Sequence, residues 1–367
     1  MCTTCQMKPD PDQLDACGEK YVQMLNQSAA VLMISIGYRT GLFETMRYLP
    51  PSPPDKIAQA AGLDERYVRE WLGALTVAGV VTCDDSGAHY QLDPNWSPLM
   101  TDQPGAETLA HLAQYVPMLA LVEDRIIDCF RDGGGVPYSA YLRFHELMEQ
   151  DSGQTVVAAL EEHILPLVPE IIPSLKKGIR VLDVGCGRGR ALHTLAATYP
   201  KSSFVGYDIG AEAIDYAMDR ARETGLKNVT FEARDLTDFH ETAPENEFDF
   251  VTAFDAVHDQ ARPDHLLAGI RRALRPDGVF LMQDIGASSN VAENRNHPLG
   301  TLLYSLSCMH CMTVSLAQGG LGVGAMWGEA QAREFLAKAG FAPVERHTCE
   351  HDIQNYYYVA RPGETSD

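Results

Sequence analysis

The segment Val181-Leu-Asp-Val-Gly-Cys-Gly-Arg-Gly189 runs from an apolar stretch into three alternate glycines. Gly185, Gly187 and Gly189 let a backbone approach a ligand without Cβ clashes. Asp183, just before the first glycine, suits a cationic group better than a phosphate. The GxGxG spacing also departs from the GxGxxG pattern that seats a pyrophosphate on a helix N-terminus. Asp208 closes the next apolar run, where its carboxylate can accept hydrogen bonds from a pair of hydroxyls. Asp235 lies at the same position after a third run, in Ala233-Arg-Asp-Leu236. Phe254-Asp-Ala-Val-His-Asp259 then brings His258 and Asp259 together. A neutral imidazole with a pKa near ~6.5 can take a proton from a hydroxyl or a thiol. The alternative is a histidine hydrogen-bonded to a neighbouring loop, with Asp259 as a helix cap.

These residues need a scaffold that brings several strand ends to one edge. From Gly178 the chain alternates apolar strands and amphipathic helices, the mark of a parallel sheet with crossovers. Strands are expected at 180–184, 203–207, 229–233, 248–254 and 279–283. Helices are expected at 190–199, 211–224 and 264–274. A helix over 329–339 and strands near 344–348 and 355–360 complete the pattern. In such a sheet, ligands bind at the carboxyl ends of the strands. The long segment 285–327 breaks the rhythm and reads as a cap, because long insertions in compact domains are usually functional.

The N-terminal third reads differently. Residues 1–18 are polar and expected to be flexible, and 21–46 carry a helical pattern. Residues 55–61 and 64–78 form a helix-turn-helix, with Asp64 as a candidate N-cap. Two short strands flank the turn Asp84-Asp-Ser-Gly87. The expected organisation is a winged-helix and dimerisation domain at 19–100, a helical linker and substrate cap at 101–176, and a ligand-binding domain at 177–367.

Composition narrows the function classes. A chain of 367 residues suits two domains. Its formal net charge of -21 opposes nucleic-acid binding, which draws its affinity from phosphate neutralisation. In the helix at 64–78, Arg66 and Arg69 are balanced by Asp64, Glu65 and Glu70, so no basic stripe emerges. No apolar run reaches the ~18 residues that span a bilayer, and a cytoplasmic protein is expected, with no membrane partner. The 9 cysteines follow no disulfide spacing. Cys2 with Cys5, and Cys308 with His310 and Cys311, offer too few ligands apiece for a structural zinc site. His297 is a possible addition to the second set. No metal is expected.

Residues 178–284 and 329–360 resemble the core of class I S-adenosylmethionine-dependent methyltransferases. The whole chain is similar to bacterial winged-helix methyltransferases that act on small molecules. The resemblance implies an α/β fold: a Rossmann-like seven-stranded class I methyltransferase sheet, its last strand antiparallel, with an N-terminal α-helical winged-helix domain. It implies S-adenosylmethionine as cofactor. Asp183 would face the methionine ammonium, Asp208 the ribose and Asp235 the adenine. Gly185, Gly187, Gly189, Ile209, Leu236, Phe254 and Asp255 would complete the cofactor site. His258-Asp259 resembles the His-Asp of plant-type O-methyltransferases, where the histidine is the general base. Gln260 departs from that pattern, since a tryptophan usually follows there. A homodimer is also implied.

The expected reaction moves a methyl group to an oxygen of a small-molecule acceptor. Phe144, His145, His297, His310 and Trp327 are the candidate acceptor contacts. Transfer to a small thiol is the nearest alternative. A SAM-responsive winged-helix regulator is the alternative from another class.

Overall fold

The computed structural model describes residues 10–102 and 108–363, so the Cys2–Cys5 pair lies outside the described residues. Two compact units emerge, Met1–Pro117 and Met118–Asp367.

The first unit begins with a 29-residue helix, α1 (Pro11–Arg39). The Asp10 side chain accepts the Asp12 N–H, and Pro11 supplies a helix-ready φ at the first position. Helix therefore starts ten residues before the periodic stretch expected from Tyr21, inside the segment expected to be flexible. Its cap, not its apolar pattern, sets the boundary. After α2 (Leu42–Arg47), α3 (Pro54–Ala61) and α4 (Glu65–Val77) make the helix-turn-helix. Asp64 caps α4, accepting from Arg66 N and Tyr67 N, a contribution of about 1 kcal/mol. The hairpin β1 (Val81–Cys83) and β2 (Tyr90–Leu92) pairs Val81 with Leu92. Phe43, Trp71, Leu72 and Leu75 pack as its core, and Trp71 Nε1 donates to Met33 O at 2.8 Å.

In the second unit, α5 (Phe144–Ser152) precedes the sheet. The strands are β3 (Arg180–Val184), β4 (Ser203–Asp208), β5 (Val229–Ala233), β6 (Phe248–Phe254) and β7 (Leu274–Ile285). Between them lie α6 (Arg190–Thr198), α7 (Ala211–Glu223) and α8 (Pro263–Ala273). β8 (Phe341–Cys349) and β9 (Asp352–Pro362) close the unit. The seven strands follow the order β5-β4-β3-β6-β7-β9-β8. β3 to β7 are mutually parallel, and β9 enters antiparallel to β7. Helices cover both faces, so the central strands are nearly continuous apolar runs, as in Leu182 and Val184 or Phe250 and Val251. The order reverses between β3 and β6. The ends of these two strands and of β4 therefore open onto a shared crevice.

After an irregular stretch at 286–299, the segment after β7 turns helical rather than remaining a loop. It contains α9 (Gly300–Leu306), a π-helical turn at Ser307–Cys311 and α10 (Met312–Ala317), before α11 (Gly328–Lys338). π-turns are rare and recur at functional sites. Among the described residues, no helix is long and apolar enough to cross a membrane.

Candidate cofactor and acceptor site

The loop after β3 is shaped by its glycines. Gly185 has φ 73°, and a Cβ there would stand 2.3 Å from the Ala256 side chain. Gly189 has φ 71°, and its Cβ would strike the Phe231 ring at 2.5 Å. A larger residue would push on the Ala256 side chain or the Phe231 ring, and the positive φ would strain it as well. Asp208 ties the loop down: one carboxylate oxygen accepts the Gly187 N–H at 2.8 Å, the other the Gly210 N–H at 2.8 Å. Each oxygen keeps a lone pair for a further donor.

Asp183 is 3% exposed, and its Oδ1 accepts the Thr252 hydroxyl at 2.7 Å. Burial pushes its carboxyl up to about 7, with the Thr252 hydrogen bond opposing. A buried acid with this history gains most from a cationic ligand.

One cavity, about 1070 Å³ with open solvent included, joins these groups. Asp183, Gly185, Cys186, Gly187, Asp208 and Ile209 form one wall, with Arg234 and Leu236, then Phe254 and Asp255. Tyr138, Phe144, Asp259, Gln260 and Gln318 also line it, and His145 lies over the Asp208 wall. α5 is fastened over the loop: Arg188 pairs with Glu149 at 3.1 Å, and Arg190 donates to Glu149 O at 2.9 Å. His145 Nε2 comes within 4.0 Å of Asp208 Oδ1.

Behind Asp259 lies a buried cluster. His258 is 2% exposed and does not line the cavity. Its Nδ1 is 2.8 Å from Asp284 Oδ1, and its Nε2 is 3.2 Å from Asp259 Oδ1. Trp327 Nε1 also donates to Asp284 Oδ1, at 2.9 Å. Burial disfavours the His258 charge, but Asp284 and Asp259 outweigh it and hold the ring well above its ordinary value. Burial likewise penalises the Asp259 anion, yet His258 brings its carboxyl down to about 2. Tyr138 donates to Asp259 Oδ2 at 3.1 Å. His310 stacks on Phe144 at 4.0 Å, and burial lowers it to about 4, leaving a neutral ring whose Nε2 has no hydrogen-bond partner.

Comparison with known proteins decides what this crevice belongs to. Residues 175–340 match the family described as a methyltransferase domain, and residues 28–102 match the Rv2258c-like winged HTH domain. Residues 175–340 are a class I S-adenosylmethionine-dependent methyltransferase domain. A fatty-acid O-methyltransferase of Mycolicibacterium smegmatis is 33% identical over 117 residues, which cover 32% of this chain and 41% of that protein. The chain thus spans less than half the length of the first curated relatives it matches. In fold, it is similar to the mitomycin 7-O-methyltransferase (TM-score 0.67, 17% identical, 96% of this chain and all of that one). Human N-acetylserotonin methyltransferase, solved with S-adenosylmethionine, gives a TM-score of 0.66 at 18% identity, with 97% of this chain and 100% of that one covered.

The methyltransferase domain fits S-adenosylmethionine on its own chemistry. Asp183 offers an acid to a cation, Asp208 offers two acceptors to vicinal hydroxyls, and Gly187, at φ 51°, leaves open space where a Cβ would stand.

Several expected site residues take other places. Asp235 does not line the cavity; its Oδ1 accepts the Thr237 N–H at 2.9 Å, which turns it into its own loop. Arg234 and Leu236 occupy the wall instead. Gly189 stands outside the lining and serves the turn into α6. His297 Nε2–H donates to Gly286 O at 3.1 Å, and the residue borders a different cavity beside Tyr304 and Cys308. Trp327 is a core residue, 3% exposed. His258 is not a free base facing an acceptor, because Asp284 holds its Nδ1, its Nε2 faces Asp259 rather than the cavity, and the two acids raise its pKa. Asp259 is not a helix cap either, since Arg262 holds that place on α8. Cys308, His310 and Cys311 do not converge: Cys308 opens to the other cavity, while Cys311 joins His258 and Asp259.

Sequence reasoning missed Tyr138, Glu149, Gln318 and Asp284. Only Asp284 had a legible signal: an acid ending the apolar run Val279–Gln283, at the same level as Asp183 and Asp208.

Proposed function

We propose that the protein transfers the methyl group of S-adenosylmethionine to an oxygen of a small-molecule acceptor. The observation that carries this reading is the single cavity running from the Asp183–Asp208 wall to the Asp259 end. S-adenosylmethionine supplies an electrophilic methyl on a sulfonium. Asp183 pairs with its ammonium, Asp208 holds the ribose hydroxyls, and Leu236 and Arg234 flank the adenine. Ile209, Phe254 and Asp255 border the same ligand. On α5, Phe144 roofs the acceptor end, with His310 stacked behind it, while His145 covers the ribose side beside Asp208.

The acceptor oxygen sits beside Asp259. The carbon–oxygen bond forms as the carbon–sulfur bond breaks, giving methylated acceptor, S-adenosylhomocysteine and, for a hydroxyl, one proton. With Asp259 so acidic, its role is to orient the acceptor; alignment in a closed cavity supplies most of the acceleration. The fatty-acid O-methyltransferase among the relatives supports oxygen as the nucleophile. The winged-helix unit serves dimerisation. On α1, the exposed Leu14, Tyr21, Leu25, Leu32 and Ile36 recur at intervals of four or seven residues, an apolar stripe suited to a second copy.

The test is incubation with S-adenosylmethionine and panels of alcohols, phenols, carboxylic acids and thiols, with product mass as readout. Methylated oxygen products support the reading. Methylation confined to thiols overturns the choice of nucleophile.

A further inference from the structure

His258, Asp259 and Cys311 come from two separate stretches of chain, yet their ligand atoms all lie within 4.8 Å of one another, and all three residues are buried. The methyl-transfer reading gives neither His258 nor Cys311 a task. We propose that these three side chains form a zinc site next to the acceptor end of the cavity, which Asp259 alone of the three lines.

The donor set is the first argument. One imidazole nitrogen, one carboxylate oxygen and one thiolate sulfur make a borderline set that suits zinc. Tetrahedral zinc with bonds near 2.0–2.3 Å sets its donors roughly 3.3–3.6 Å apart. His258 Nε2 and Asp259 Oδ1 already stand 3.2 Å apart. That contact is off the hydrogen-bond line, and Asp259 Oδ1 has no aligned donor although it is fully enclosed. The Cys311 sulfur lies within 4.8 Å of both and must draw closer to reach zinc-bond length.

The surroundings are the second argument. Metal-binding histidines usually donate their other ring N–H to a carboxylate, which fixes the tautomer. His258 Nδ1 meets Asp284 Oδ1 at 2.8 Å, and Trp327 Nε1 holds the same oxygen. Tyr138 supports the second oxygen of Asp259. These contacts leave Nε2 as the ligating nitrogen. Three protein ligands with one open position is the arrangement of catalytic rather than structural zinc.

The exchange balances. Zinc entry releases one proton from the His258 imidazolium and one from the Cys311 thiol. Imidazolium, carboxylate and thiol sum to zero charge; so do zinc, imidazole, carboxylate and thiolate. The buried surroundings therefore see no net change. The role at the fourth position rests on the methyl-transfer reading: there the acceptor oxygen binds the metal and ionises more easily. Metal binding itself does not depend on that reading.

The test uses the full chain carrying Cys2→Ser and Cys5→Ser, which removes the other paired thiols. Zinc content after dialysis is measured first. Cobalt is then substituted, and its thiolate charge-transfer absorption recorded. About one zinc per chain is expected, with a thiolate band that Cys311→Ser abolishes and Cys308→Ser leaves intact. S-adenosylhomocysteine binding in each variant reports folding. A folded protein that takes up no metal, or a thiolate band that survives Cys311→Ser, overturns the site. Metal bound with this signature but no methyl transfer to any acceptor overturns the functional reading instead.

Discussion

Asp208 holds the Gly187 N–H at 2.8 Å, so the acid proposed to bind the ribose also fixes the loop proposed to face the methionine. The two halves of the cofactor wall are therefore coupled through one carboxylate. β3 and β4 set it there, being parallel neighbours paired at Val184 and Tyr207.

Cofactor affinity should depend on pH through Asp183. Its carboxyl is raised to about 7 by burial, and pairing with the ligand ammonium requires the anion. Below that pH a proton must leave before binding. Affinity for S-adenosylhomocysteine should thus fall toward tenfold per unit of acidification, since one pKa unit is about 1.36 kcal/mol. Titrations across this range check it, with Asp183→Asn expected to bind weakly and show no slope. A wild-type affinity that does not change through neutral and acidic pH speaks against the pairing.

Asp259 should matter to turnover and not to cofactor binding. Asp259→Asn should leave S-adenosylhomocysteine affinity intact while kcat/KM falls by about 10²-fold, the scale of a misplaced reacting atom. Steady-state kinetics with the true acceptor decides. Unchanged kcat/KM removes Asp259 from the acceptor site.

The winged helix should not read DNA sequence. On α4, Arg66 pairs with Glu70 and Arg69 with Glu65, so each cation is already matched. The net charge of -21 adds long-range repulsion. Gel shifts near physiological salt should give no sequence-specific complex. A complex preferring one sequence by about 10³-fold or more restores the regulator reading.

The apolar stripe of α1 should be an interface between two copies. Sedimentation is expected to show a dimer, and Leu25→Glu should shift it to monomer, because burying an unpaired charge is costly. A wild-type monomer at micromolar concentration contradicts this role.

The sheet was legible because β3 to β7 and their helices carry strong periodicity, and because glycines and acids mark the strand ends. Strands at 180–184, 229–233 and 248–254 fall where the pattern placed them. Three features were not legible. The start of α1 depends on one capping contact at Asp10, which hydrophobic periodicity does not encode. The helical character of 300–317 was hidden because the π-turn at Ser307–Cys311 interrupts the 3.6-residue repeat of its apolar residues. The state of His258 depends on Asp284, 26 residues away on the next strand, and only strand pairing brings the two together. The local motif located the histidine and Asp259 but not Asp284, which holds its Nδ1.

The measurement that bears most directly on the whole reading is a calorimetric titration with S-adenosylhomocysteine, comparing wild type with Asp208→Ala. A charge-assisted hydrogen bond is worth roughly 1.5–3 kcal/mol, so the variant should bind about tenfold or more weakly, from about one site per chain in the wild type. No binding by the wild type, or equal affinity in the two proteins, would contradict the assignment of this cavity to the cofactor.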